Sequence, residues 1–132
     1  MSSYPQDLWQ RASAALGTAK HLLAVDPDAT ASRAYYAAFY AVSAYFALEG
    51  KTFTRHSAVE AAVHRDLVKA GVWPSELGTK YSRLAGLRRR GDYGGADHVL
   101  PEEASEAVEA AAEVLQVVAG AKPEDFALPE HG

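Results

Sequence analysis

The chain has 132 residues and a mass of 14.1 kDa, enough for one domain with its own core. Alanine fills about a fifth of the positions and isoleucine is absent, a helix-forming composition that argues against a β-rich fold. With 48% hydrophobic residues, 23% charged residues and a net charge of −4, the chain is too apolar for wholesale disorder, and its lack of cysteine excludes a disulfide scaffold, a Cys-ligated zinc, an iron–sulfur cluster and a thiol nucleophile.

Five helices separated by short breakers account for nearly the whole sequence. The first is expected from about Pro5 to Val25, where Leu8, Ala12, Ala15, Ala19 and Leu22 recur with the spacing of one inward helical face. Asp26-Pro27-Asp28 is read as its stop. The second, about Thr30 to Leu48, is aromatic nearly all round: Tyr35, Tyr36, Phe39, Tyr40, Tyr45 and Phe46 stand among alanines. Such a helix is either central in a bundle or shared between a core and a subunit interface, and Glu49-Gly50 stops it. Ser57-Ala58-Val59-Glu60 matches a capping box opening a short third helix that runs to about Ala70. Trp73-Pro74 begins the fourth, with Leu77, Tyr81, Leu84 and Leu87 facing inward and Gly91 at its end. Residues 91–100 read as an exposed, glycine-rich loop. Pro101-Glu102-Glu103 opens the fifth helix, whose inward stripe is Ala104, Val108, Ala111, Leu115 and Val118, and Gly120 ends it. The expectation is an all-α, up-and-down bundle of four to five helices over residues 1–120, followed by a flexible C-terminal tail over 121–132.

The net charge conceals a segregation. Residues 51–93 carry nine Lys/Arg against four Asp/Glu, or +5, whereas residues 94–132 carry one against nine, or −8. A local cationic patch can bind an anion despite the global sign; the alternative is that the two segments neutralise each other across the fold. The N-terminus shows no basic segment followed by an apolar run, and no stretch approaches the ~18–20 apolar residues of a membrane span. A cytoplasmic protein with no membrane partner is expected.

Within Tyr81–Tyr93, Arg88 falls four residues after Leu84 and seven after Tyr81. A continuous helix therefore carries it on the inward stripe, where a charge needs a partner, either the carboxylate of Asp92 or a ligand phosphate. Arg89 and Arg90 point elsewhere and suit the negative end of a helix. His56, beside Arg55 at a helix start, is a candidate anion contact. His64 lies eight residues further on, not the four of a paired helical metal site, so no metal and no cofactor is expected. The tyrosines of the second helix could stack on bases, but their helical spacing favours core and interface packing.

Ser32-Arg33-Ala34-Tyr35-Tyr36-Ala37-Ala38-Phe39-Tyr40-Ala41, then Arg55-His56-Ser57-Ala58-Val59, then Leu87-Arg88-Arg89-Arg90-Gly91-Asp92-Tyr93, resembles in content and order the small prokaryotic HEPN-domain proteins. The resemblance implies a helical bundle that forms a homodimer, here through Tyr35, Tyr36, Phe39 and Tyr40, with the arginine motifs of two subunits around a shared cleft. It also implies RNA or a nucleotide as ligand, a minimal nucleotidyltransferase as partner, and a toxin–antitoxin-type module as setting. On that basis Arg88, Asp92 and Tyr93 are candidate catalytic residues, and Arg88, Arg55, His56 and Arg33 candidate phosphate contacts. Tyr93, read as lying outside a helix, is also a candidate modification site. Active members are metal-independent endoribonucleases in which a histidine follows the arginine after four to six intervening residues, that is, five to seven positions on. No histidine occupies that window here, and His98 lies eight residues past Arg90. A 2′-hydroxyl needs a base such as imidazole. Binding is therefore the leading expectation, with a non-catalytic protein-interaction module and a ribonuclease as alternatives.

Overall fold

A computed structural model describes residues 3–128 and contains five α-helices and no strand among them. In chain order these are α1 (Tyr4–Leu22), α2 (Pro27–Leu48), α3 (His56–Ala62), α4 (Ser75–Tyr93) and α5 (Pro101–Ala121), with a π-helical segment, Val63–Val68, continuing α3. The all-α bundle expected from the stripes is therefore the fold.

Local chemistry explains most of the boundaries. The Ser3 hydroxyl accepts from the Gln6 N–H to open α1. The first helix ends at Leu22, short of the expected Val25, and Asp26-Pro27-Asp28 starts the next one instead: Asp26 Oδ1 accepts from the Ala29 N–H at 3.1 Å and Pro27 occupies the first turn of α2. At the far end of α2, Gly50 adopts φ +78°, the Lys51 N–H reaches the Phe46 carbonyl and the Gly50 N–H reaches the Ala47 carbonyl. That pair of bonds is a Schellman stop, and the left-handed residue suits glycine. The expected capping box at Ser57 does not form. The α3 helix starts at His56 with Arg55 before it, and the Glu60 carboxylate instead accepts from the Ser82 hydroxyl of α4 at 2.7 Å. A partner across the helix seam has displaced the local one.

The α2 helix is the centre of the bundle, packing on α1, α3, α4 and α5. Ala31, Ala34, Ala37, Ala38, Ala41 and Ala44 are fully buried, and their small side chains let neighbouring helices approach closely. Of the two readings of the aromatic helix, the central one describes Tyr35 and Phe46, both buried in the chain's own core. Tyr35, expected at a subunit interface, is 2% exposed and unavailable to one, while Tyr36, Phe39 and Tyr40 are half-buried. The expected stripes of α4 and α5 face this core, each fully buried leucine contributing about 1.5–3 kcal/mol.

Gly91 is not the end of α4. The helix continues through Asp92 to Tyr93, so Tyr93 is helical rather than in a loop. Gly91 sits where α4 crosses the start of α2, and a Cβ there would lie 2.7 Å from the Asp28 carbonyl oxygen. The absence of a side chain serves close packing, not termination. Beyond Gly94, Val99 is buried, and its N–H donates to Asp28 Oδ1 at 2.7 Å, which ties the connection to α2.

The expected tail is docked along part of its length. The chain turns at residues 122–126, the buried Phe126 ring stacks on Trp9 at 4.8 Å, and Trp9 Nε1 donates to the Ala127 carbonyl at 2.8 Å. An aromatic ring with an apolar partner on α1 has more to gain from burial than this short segment loses in freedom. Residues 129–132 lie outside the described residues.

Candidate functional site

Arg88 leaves α4 one turn beyond Leu84, and its side chain is 13% exposed. Its guanidinium carbon stands 5.1 Å from the Tyr35 ring centroid and 5.9 Å from those of Tyr36 and Tyr93, contacts worth about 0.5–2 kcal/mol each at most. Nη1 meets Asp92 Oδ2 at 3.5 Å, one turn on, as a buried charge requires. That pair leaves donor capacity unused: Arg88 Nε is sealed from solvent with no hydrogen-bond partner. A charged donor in that state is costly, and an acceptor that reached it would relieve the cost.

His56, at the start of α3, packs against the same rings. Its ring centroid is 4.5 Å from Phe39, 5.5 Å from Tyr36 and 5.6 Å from Tyr35. Burial, and then the positive charge of Arg88, push its pKa below the ordinary histidine value. The imidazole is accordingly neutral at pH 7, and no hydrogen bond engages it among the described residues. Arg33 of α2 lies over the Tyr36 ring at 4.9 Å. Arg55 is exposed next to His56, and Tyr93 is 76% exposed. Arg33, His56, Arg88, Asp92 and Tyr93 thus gather around Tyr35 and Tyr36, although three separate helices supply them. Burial pushes the Tyr35 hydroxyl up to about 12, so it remains a neutral phenol.

The other basic residues of residues 51–93 are largely neutralised within the chain. Lys80 Nζ pairs with Glu113 at 2.7 Å, Arg83 bonds Glu106 and Glu103 at 3.0 Å each, and Arg90 reaches Glu103 and Asp97. The +5 and −8 segments meet along the α4–α5 seam, so mutual neutralisation describes these residues. Arg88 stands outside that seam. His98 does not approach as a substitute for the missing motif histidine, because its Nδ1 is held 2.6 Å from Asp28 Oδ2 at the start of α2. Burial raises the Asp28 carboxyl, but the Val99 N–H and His98 outweigh it and hold its pKa below the usual value. The hydrogen bond to Asp28 and its charge raise that of His98.

Sequence reading missed two features. Arg11 of α1 lies 5.9 Å from the Tyr40 ring centroid, beside a cavity of about 370 Å³ that Lys51, Phe39 and Phe53 also line; a cation on the polar side of the first helical stripe was its only signal. His64 Nε2 and Glu60 both bond the Ser82 hydroxyl, at 2.8 and 2.7 Å. No local spacing announces that cluster, which joins α3, the π-helical segment and α4. Among the described residues, no three His, Asp or Glu side chains converge as a metal site would require, and no helix is long and apolar enough to cross a membrane.

Comparison with known proteins agrees with the motifs and the architecture. The chain is 42% identical over 90 residues to a UPF0332 protein of Thermotoga maritima, covering 67% of this chain and 68% of that protein. It is 32% identical over 120 residues to the UPF0332 protein glr0978 of Gloeobacter violaceus, covering 89% and 94% respectively. The HEPN domain family matches residues 5–122, a span that takes in the five helices except Tyr4 at the start of α1 and every residue around Arg88, and the chain belongs to that family.

Proposed function

We propose that the chain binds RNA or a nucleotide by its phosphate at Arg88, in a cleft that a second copy completes, and that it works with a minimal nucleotidyltransferase in a toxin–antitoxin-type module. One observation carries the reading: Arg88 is a nearly buried guanidinium with an unpartnered Nε, resting on tyrosine rings, while Arg83 and Arg90 of the same helix are matched by carboxylates of α5. A core structural arginine would have its donors satisfied. The half-buried rings of Tyr36, Phe39 and Tyr40 supply surface for a second copy or for bases. The exposed Tyr93 hydroxyl is open to a modifying partner.

Binding of labelled single-stranded RNA and of ATP across a salt series tests this. Affinity should fall as salt rises, because phosphate contacts release counterions. No binding even at low salt would leave the protein-interaction module as the better account. A ribonuclease reading draws on His56, a neutral imidazole beside Arg88. It requires RNA cleavage in chelator that disappears in the Arg88→Ala protein.

A further inference from the structure

We propose that the Arg88 site recognises a terminal phosphate group, a phosphomonoester dianion, in preference to an internal phosphodiester, and that His56 takes up a proton as that dianion binds. The inference rests on the phosphate reading above and narrows its ligand. Arg88 and His56 reach the same place from different helices: both stand within 6 Å of the Tyr35 and Tyr36 ring centroids. Neither is saturated, since Arg88 Nε has no partner and no hydrogen bond engages the imidazole.

The two differ in how they answer charge. Arg88 is always cationic, and a diester brings it only a single negative charge. Beside Arg88 and partly buried, His56 stays neutral until additional negative charge makes protonation favourable. A phosphomonoester supplies that charge at neutral pH, its second pKa being about 6. Protonated His56 then donates to a phosphate oxygen that a neutral ring could only half satisfy.

The groups around the imidazole support this balance. From α2 come Arg33, over the Tyr36 ring, and the Tyr35 phenol, which is neutral. Arg55 precedes His56 on the α3 side, and Glu60 follows one turn later with its carboxylate engaged by Ser82. From α4 come Arg88, Asp92 and Tyr93. Arg33 and Arg88 thus share the tyrosine rings with His56, while the carboxylates of Asp92 and Glu60 are already engaged.

Calorimetry with adenosine 5′-monophosphate and with the diester ApA, in two buffers of different ionisation enthalpy, tests the proposal. The monophosphate should bind with uptake of a large fraction of one proton and up to about tenfold more tightly at pH 6.5 than at pH 7.5. ApA should bind more weakly and without proton uptake. His56→Gln should abolish the proton uptake and the stronger binding at pH 6.5, leaving only the slight opposite trend set by the ligand's own second ionisation at about 6, and should narrow the gap between the monophosphate and ApA. In the wild type, added inorganic phosphate should move the NMR titration midpoint of the His56 ring upward, a readout that needs no variant. Equal binding of monophosphate and diester, with no proton uptake and an unmoved His56 midpoint, overturns the inference; salt-sensitive RNA binding would then still support the phosphate reading. Loss of RNA, monophosphate and phosphate binding together would remove both.

Discussion

An Arg88→Ala protein is expected to bind single-stranded RNA about 10–150-fold more weakly than the wild type, the loss that one charge-assisted hydrogen bond of about 1.5–3 kcal/mol represents. The guanidinium is held in place by Asp92 and by three tyrosine rings, and a ligand that engages the sealed Nε must displace part of that cover. Arg88→Lys separates charge from shape: it keeps the cation but loses the planar fork, and should recover only part of the affinity. Circular dichroism of both variants checks that the bundle remains. Arg83→Ala is the control, since Arg83 is committed to Glu103 and Glu106 and should leave RNA affinity within about threefold, as for a solvated pair worth under 1 kcal/mol. If Arg83→Ala weakened binding as much as Arg88→Ala, the α4–α5 seam would be the binding surface instead.

The second large effect concerns stability. Phe126 is 1% exposed and stacked on Trp9. Phe126→Ala should destabilise the domain by about 3–5 kcal/mol through lost burial and the cavity left behind. For a chain of this size that lowers the melting temperature by roughly 10 °C or more. The bond from Trp9 Nε1 to the Ala127 carbonyl would weaken with it, because the ring holds the segment in place. A melting temperature unchanged by Phe126→Ala would mean that residues 122–127 contribute nothing to the domain.

The stripes of the helices were legible in the sequence because each repeats within one element. Leu77, Tyr81, Leu84 and Leu87 face the core as their spacing requires, and the inward position of Arg88 follows from the same count. Misreadings arose where a distant segment decides. Gly91 looks like a helix stop, but its bare Cα accommodates the Asp28 backbone. Glu60 looks like half of a capping box, but Ser82 of α4 takes its carboxylate. Phe126 stands in a proline-containing polar run without periodicity, and only the fold reveals Trp9 as its partner. At the site, the residue types were legible and their convergence was not. The family motif would set a histidine after the arginine on one helix, whereas His56 comes from another helix and lies over the same rings of α2 as Arg88. Charge followed the same rule: the +5 segment left open either a local cationic patch or neutralisation across the fold, and the pairing of Lys80, Arg83 and Arg90 with α5 carboxylates is visible only once the helices are packed.

The Arg88 Nε–H resonance, followed by NMR as a short single-stranded RNA is added, reports whether phosphate reaches the guanidinium. Occupation of the site predicts a saturable shift of that resonance together with the His56 ring, reversed by added salt. Shifts confined to Lys80 and Arg83, with Arg88 and His56 unmoved at saturation, would contradict it.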